Sequence, residues 1–430
     1  MDDIYIESRT LCGSTKRPNK VESGVLTSPD SVTESNKLLK FVIRCNKYMR
    51  DDNLVESDPD QPSCKWVGGV FEYTGYQKMN RYMVQNLRDL GANIKLYSFI
   101  KKIDISVKEA FELAWDGHCD VPENSPVIYG AVQSTHKDEY VTHYMMNETQ
   151  SLSSEDFIEG IRQNNEIWVP SNWNKNLLEN LDLDVEIKVM PLGVDEKIYK
   201  PVKERVKYTS GTNEFVFLAI SSWSWRKGWD CLIKAFCKAF SGNKNVSLVI
   251  HTLDGTDIYD SDIKHLVADI VGVDPPHIVH SNALIPEEVM PAVYCSADVF
   301  SLLSRGEGWG LPYSEAAACR IPIIGSYTTG QMEYLDHKYS YLVTPDTWVR
   351  PHYSMSRLSS IYDDSIFSGF TEGALDVAAS KMRYVYNNYD EAKRKAIEFG
   401  DIFVERYSWK KSAERVYNRI VELNKITETQ

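Results

Sequence analysis

From Lys65 onward the chain repeats one order of positions: a short apolar run, a turn, then a longer stretch with helical period. "WVGGVF" (66–71) reads as a buried strand, "EYTGY" as a turn, "QKMNRYMVQNLRDLG" (77–91) as an amphipathic helix stopped by Gly91, and "NIKLYSF" as the next strand. "VIYGAV", "YVTHYM" and "EIWVPS" predict further strands with helices between or after them, and "IKVMPLGVD" closes this half. A polar connector, "EKIYKPVKERVKYTSGTNE", precedes a second series beginning at "FVFLAI". That series runs through helix "GWDCLIKAFCKAF", strand "VSLVIHT", helix "SDIKHLVADIVG", strand "HIVHS", helix "PEEVMPAVYCSA", strand "DVFSLLS", helix "PYSEAAACR" and strand "IPIIG".

Two blocks of alternating strands and helices predict two doubly wound, Rossmann-like α/β domains, over 65–200 and 201–400. Residues 1–64 are polar and poorly patterned apart from "LLKFVIRCNKYM", and read as an extension of uncertain structure. Residues 401–430 include "SAERVYNRIVELNK", an amphipathic packing helix. The mixed aromatic and polar segment 345–370 carries no assigned role. In doubly wound sheets ligands bind beyond the carboxyl ends of the strands, so the loops after "FVFLAI" and "DVFSLLS" are expected to face one cleft.

A length of 430 residues agrees with two or three domains, at about 100–200 residues each. No window nears the roughly 18 uninterrupted apolar residues of a membrane span, and the charged opening "MDDIYIESRT" does not read as a signal peptide, so the expectation is a cytoplasmic protein without an integral span. The eight cysteines are scattered without a Cys-x-x-Cys pair, which favours free thiols over disulfides or zinc. A net charge of −13 opposes non-specific attraction to nucleic acid or anionic lipid.

The charged residues most suited to chemistry fall at predicted strand ends. "SSWSWRKGWD" puts Arg226 and Lys227 after the second domain's first strand, where two cations and a helix start suit a diphosphate; composition alone leaves a solvated charge pair equally open. "RGEGWGLPYSEAAACR" puts Glu307 in a tight loop and Glu315 near the start of the next helix, with seven residues between them. Gly308 and Gly310 permit a close backbone approach, Pro312 suits the first helical turn, and a carboxylate is a good acceptor for paired hydroxyls of a sugar or ribose. Glu315 alone reads better as a surface residue favoured by the helix dipole. The glycines also invite comparison with a dinucleotide fingerprint, but Leu311 occupies the place of its last glycine and Glu307 would repel a pyrophosphate.

Taken in order, "GVFEYTGYQKMNRYMVQNLRDLG", "NEIWVPSNW", "VMPLGVDEKIYKP", "FVFLAISSWSWRKGWDCLIKAF", "VYCSADVFSLLSRGEGWGLPYSEAAACRIPII" and "ERYSWKKSAERV" resemble the retaining nucleotide-sugar glycosyltransferases of family four, also called glycosyltransferase group 1, over about residues 65–420. The resemblance implies the GT-B fold, two Rossmann-like domains facing a cleft with a C-terminal helix crossing back to the first. It implies that Arg226 and Lys227 neutralise a donor diphosphate, that Glu307 contacts the transferred sugar and that Glu315 holds the ribose hydroxyls. Backbone around Gly308, Trp309, Gly310 and Leu311 would support sugar and phosphate, and Gly75 would let the first domain's loop approach the donor. His143 and Glu148 stand where such enzymes carry a first-domain histidine or glutamate, completing a catalytic set with Glu307, Lys227 and Arg226. The chain departs from the family at Arg320, where a glycine is usual, so packing after that helix must differ.

The implied activity is hexosyl or pentosyl transfer, with retention, from a UDP- or GDP-sugar to a hydroxyl of a glycan or glycoconjugate, without cofactor or metal. A hydroxylated DNA base as acceptor is a rival that the acidic balance disfavours. A sugar-nucleotide binder without catalysis is a second rival, opposed by the retained charged positions.

Overall fold

A computed structural model describes residues 4–6, 8–12, 25–26, 56–72, 74–98, 119–132, 140–152, 154–252, 268, 270, 274–351 and 365–429. "LLKFVIRCNKYM", most of the helix expected over 261–272 and much of 345–370 lie outside these residues. The chain divides into a larger unit (Met1–Pro29, Glu148–Ser153, Val194–Arg406) and a smaller one (Asp30–Asn147, Ser154–Gly193, Tyr407–Gln430). Three short strands open the chain: β1 (Ile4–Ile6), β2 (Arg9–Cys12) and β3 (Val25–Leu26). All three belong to the larger unit, so the leading segment is in part built into a domain that the sequence begins only at 201.

The smaller unit alternates β4 (Ser63–Val67), α1 (Gly75–Asp89), β5 (Asn93–Tyr97), β6 (Val127–Tyr129), β7 (Val141–Tyr144), α2 (Glu155–Arg162), β8 (Glu166–Val169), α3 (Asn172–Glu179) and β9 (Glu186–Val189). The six strands are parallel, in the order β5-β4-β6-β7-β8-β9. β4 stops at Val67, short of the apolar run that predicted it, because the chain then turns against α1. A Cβ on Gly68 would stand 2.4 Å from Asn80 Nδ2. Asn80 is fully buried; it accepts from Trp66 Nε1 (3.0 Å) and donates to the carbonyls of Gly69 (3.0 Å) and Gly130 (2.7 Å), tying the loop to two strands. The C-terminal helix, Trp409–Thr427, belongs to this unit: the Ser408 hydroxyl caps it by accepting from Lys411 N–H, and Trp409 stacks on Tyr82 of α1 at 5.3 Å.

The larger unit continues with β10 (Val206–Tyr208), β11 (Phe215–Ser221), α4 (Trp229–Phe240), β12 (Val246–Thr252), β13 (His277–Ser281), α5 (Met290–Cys295), β14 (Val299–Leu302), α6 (Leu311–Ala318), β15 (Ile323–Ser326), β16 (Tyr341–Val343), β17 (Thr347–Val349), β18 (Phe367–Gly369), α7 (Glu372–Asn387) and α8 (Tyr389–Arg406). Its main sheet has the order β16-β15-β14-β11-β12-β13-β2, parallel except for β2, which pairs antiparallel with β13 and covers that edge. The central strands read as continuous apolar runs because both faces are covered: Phe217, Leu248, Ile278 and Val299 pack with Leu232 and Phe236 of α4 in one core. β11 has β12 on one side and β14 on the other. The direction of winding reverses there, which makes the carboxyl ends of β11 and β14 the topological switch point of this sheet.

Arg320 resolves the departure noted in its loop. Its φ of +57° lies in the left-handed region, where a glycine would sit without strain. The arginine is held instead by Asp401 of α8, which accepts from Nη2 at 2.8 Å and Nε at 3.2 Å.

Candidate functional site

The loop after β11 makes a 3-10 turn at Trp225–Lys227 and passes into α4 through Gly228, whose φ is +64°. A Cβ on Gly228 would lie 1.9 Å from the Leu303 carbonyl oxygen, so only glycine lets this turn touch the chain leaving β14. The contact brings Arg226 and Lys227 beside the loop 303–310, across the switch point. Lys227 Nζ donates to both oxygens of Glu307, at 2.8 and 2.7 Å. Arg226 Nη1 donates to the Gly306 carbonyl (2.6 Å) and lies 3.4 Å from Glu307 Oε2, while Nη2 pairs with Glu148 Oε1 at 2.9 Å. Gly306 is pressed onto the segment that carries Glu148: a Cβ there would meet the Glu148 carbonyl oxygen at 1.7 Å.

Lys227 and Glu307 are both buried. Burial lowers the Lys227 ammonium below its ordinary value, and the neighbouring Arg226 lowers it further against the pull of Glu307 and Glu148. Burial pushes the Glu307 carboxyl up, but attraction to Lys227 and Arg226 and their hydrogen bonds outweigh it and hold it below the ordinary range. The carboxylate is also placed from behind, since Glu307 N–H donates to Thr329 Oγ1 (2.8 Å) and its carbonyl accepts from Gly330 N–H (2.8 Å). Two cations held by carboxylates and backbone at strand ends form a prearranged site for an anionic group.

Comparison with known proteins assigns this region. Residues 214–352 match the family model described as glycosyl transferases group 1. Residues 214–352 thus resemble a group 1 glycosyltransferase domain. The chain is 31% identical over 156 residues to a GDP-mannose-dependent alpha-(1-6)-phosphatidylinositol monomannoside mannosyltransferase of Mycolicibacterium smegmatis, covering 34% of this chain and 39% of that protein. It is 29% identical over 162 residues to an MMP alpha-(1->4)-mannosyltransferase of Mycolicibacterium hassiacum, covering 37% and 36%. The chain thus spans well under half the length of these relatives. Among solved structures it resembles Anabaena HepE in complex with UDP and glucose (TM-score 0.60, 12% identity, 84% of this chain and all of that one). It resembles a sucrose-phosphate synthase from Thermosynechococcus elongatus similarly (TM-score 0.60, 14% identity, 85% of this chain and all of that one). Both have the GT-B fold, and the two parallel-sheet units described above give this chain the same fold.

The structure brings Arg226, Lys227 and Glu307 of the matched region together with Glu148, which precedes it, into one cluster. Glu315 is the fifth residue of α6, buried, and its Oε2 accepts from Tyr294 OH at 2.6 Å. The Trp309 side chain is buried, donating from Nε1 to Ser314 Oγ (2.9 Å) and packing on Tyr334, so any part it takes in holding a donor falls to its backbone. Tyr334 OH also donates to the carbonyls of Trp309 and Gly310 (2.9 Å each), pinning the turn through Gly308 and Gly310 that ends at Leu311, the first residue of α6.

Two of the expected residues, His143 and Gly75, belong to the smaller unit. His143 lies on β7 of the smaller unit with its ring fully enclosed; Nε2 contacts the Ala131 carbonyl at 2.8 Å and Nδ1 has no hydrogen-bond partner among the described residues. Burial pushes its pKa down to about 4, against one hydrogen bond that favours the charged form, so the ring is neutral near pH 7. Gly75 opens α1 with nothing within 4 Å of its added Cβ, so a close approach does not require glycine there. The crowded glycines of that loop are Gly68 and Gly69, a Gly-Gly pair directly after a strand and a readable signal. Sequence reasoning also missed Thr329, Tyr294 and Arg305, which hold the site's residues rather than extend its charge.

Proposed function

We propose that the protein is a retaining glycosyltransferase that moves a sugar from a nucleoside diphosphate sugar to a hydroxyl of a glycan or glycoconjugate. The observation that carries this reading is the Arg226–Glu307–Lys227 cluster at the switch point between β11 and β14, inside the region matching the group 1 family. A donor diphosphate placed there meets two cations and the backbone leading into α6, both favourable to the negative charge that grows as the sugar departs. The bond from the anomeric carbon to the β-phosphate oxygen breaks, and a bond to the acceptor oxygen forms on the same face. The acceptor proton passes to an oxygen of the leaving diphosphate. The products are the nucleoside diphosphate and the glycosylated acceptor.

In this scheme Lys227 and Arg226 stabilise the leaving group, Glu307 holds both cations and contacts the sugar, and Glu315, oriented by Tyr294, holds ribose hydroxyls. Charge neutralisation comes from the two cations, and the scheme draws on no metal. The names of the mycobacterial relatives and the ligands of HepE support GDP- and UDP-sugars as the donors to try first. Among the described residues no helix is long and apolar enough to cross a membrane.

A panel of GDP- and UDP-sugars tested for thermal stabilisation, followed by mass spectrometry of donor and product, tests the proposal. Stabilisation by one donor and its consumption with an acceptor, lost in Lys227→Ala and Glu307→Ala, is the expected result. Donor bound but never consumed with any acceptor favours a binding protein, and no stabilisation by any donor overturns the reading.

A further inference from the structure

We infer that Arg305 is a positioning residue for the donor site, acting through Lys227 and Arg226 without touching the ligand; this rests on the donor-site reading above. Arg305 is 6% exposed and lies in the same loop as Glu307, two residues before it. Its guanidinium grips Asp230 of α4 with two bonds, Nη1 to Oδ1 at 2.8 Å and Nη2 to Oδ2 at 2.7 Å. Nη1 also donates to the Trp225 carbonyl at 2.6 Å, and the guanidinium carbon lies 4.2 Å from the centre of the Trp225 ring. Its backbone N–H donates to the Arg226 carbonyl at 2.7 Å. Its own carbonyl accepts from Ser368 N–H of β18 at 3.2 Å, and Phe367 sets its ring edge-on to Trp225 at 5.7 Å.

One residue therefore holds the 3-10 turn from both sides: Trp225 before the cations, Arg226 itself, and Asp230 after them. Lys227 and Glu307 come from loops 80 residues apart, and their pairing depends on the registration of those loops. The planar five-donor fork of arginine makes all these side-chain contacts at once, which a lysine ammonium cannot do. The same contacts explain the presence of β17–β18, in the segment whose role could not be assigned from sequence, because β18 packs behind the turn that presents the cations.

The test is a double-mutant cycle read by calorimetric binding of UDP and, separately, GDP to the full chain. Arg305→Lys is expected to weaken the nucleotide that binds wild type by tenfold or more, and Lys227→Met by at least as much. The double variant is expected to lose clearly less than the product of the two single losses, because the part of the Arg305 effect that passes through Lys227 is already gone while the part that passes through Arg226 remains. Asp230→Asn, which keeps Arg305 but removes its two-oxygen partner, is expected to reproduce the Arg305→Lys loss while remaining folded by circular dichroism. Multiplicative losses in the double variant, or wild-type affinity in Arg305→Lys, overturn the positioning role alone. Wild type that binds neither nucleotide overturns the donor-site reading and this inference with it.

Discussion

Lys227 and Glu307, 80 residues apart in sequence, form a buried ion pair in which one ammonium faces both carboxylate oxygens, at 2.8 and 2.7 Å. A charge pair taken out of water is held only while both members are present. Removing one leaves a buried charge whose cost is about 3–5 kcal/mol.

Glu307→Gln is therefore expected to destabilise the larger unit by about that amount at pH 7, because the buried Lys227 loses the carboxylate it pairs with while Glu148 stays on Arg226. The sign with pH follows from the depressed folded-state pKa of Glu307. Its contribution is complete above the ordinary glutamate value of about 4.3 and is lost as pH falls through the lower folded value. Urea denaturation of wild type and variant at pH 7 and pH 3.5 checks this. The gap between them should narrow at the acid end, and a gap independent of pH would show that ionisation of Glu307 is not its source.

Gly228 and Gly306 make a second prediction, about geometry rather than charge. Gly228→Ala must adopt a φ of +64° and place a methyl 1.9 Å from the Leu303 carbonyl, so the turn carrying Arg226 and Lys227 has to move. Left-handed backbone alone costs an L-residue about 1–2 kcal/mol, and the clash adds to that. Gly306→Ala meets the Glu148 carbonyl at 1.7 Å and should displace Glu148 from Arg226. Both variants are expected to lose nucleotide affinity by tenfold or more while keeping their helix content. Unchanged affinity in a folded variant would detach this turn from the site.

How much of this was readable in the sequence depends on the range of the interaction. The parallel strands announced themselves as apolar runs because both faces are covered, and the switch point follows from their order once β11 and β14 are known to be neighbours. Arg226, Lys227 and Glu307 were legible as types of residue at strand ends. Their pairing was not, because it depends on Gly228 admitting a contact between loops distant in sequence. The burial of the Trp309 and His143 rings was not legible, because a polar atom on a large ring looks available in sequence, yet here each ring is packed inside its own unit. The extent of β4 failed locally, since Asn80 folds Gly68 and Gly69 out of the strand despite the apolar residues around them. β1 to β3 escaped because short strands added to a sheet from far away leave no periodic signal.

His143 supplies a prediction with the opposite chemistry from Glu307. Its folded pKa of about 4 lies below the ordinary 6.5, so the fold keeps the ring neutral while the unfolded chain takes up a proton. Stability from this group is complete above pH 6.5 and is lost as pH falls from 6.5 towards 4, at a cost of about 2 kcal/mol by pH 5. His143→Gln, which can still donate to the Ala131 carbonyl, should lose less stability than wild type between pH 7 and pH 5. The proton resonances of the His143 ring should stay unshifted over that range in wild type. A midpoint near 6.5 would mean that the ring is open to solvent and would restore it as a candidate acid or base.

The last prediction concerns Arg419 and Glu166, which fasten the C-terminal helix to β8 of the smaller unit. Glu166 is fully buried; it accepts from Trp168 Nε1 at 2.5 Å, from Arg419 Nε at 3.1 and 3.2 Å and from Arg419 Nη2 at 2.5 Å. Arg419→Met keeps the apolar stem but strands the carboxylate, and the expected loss is about 3–5 kcal/mol, with the helix released first. Replacing both charges, Arg419→Met with Glu166→Gln, should cost less than the single change, because no buried charge is then left without its partner. Hydrogen exchange over 409–427 together with melting temperatures separates the outcomes. If the double variant is no more stable than Arg419→Met, the helix is held by its other contacts, Trp409 on Tyr82 and Asn424 on the Ser63 backbone, and the ion pair is incidental.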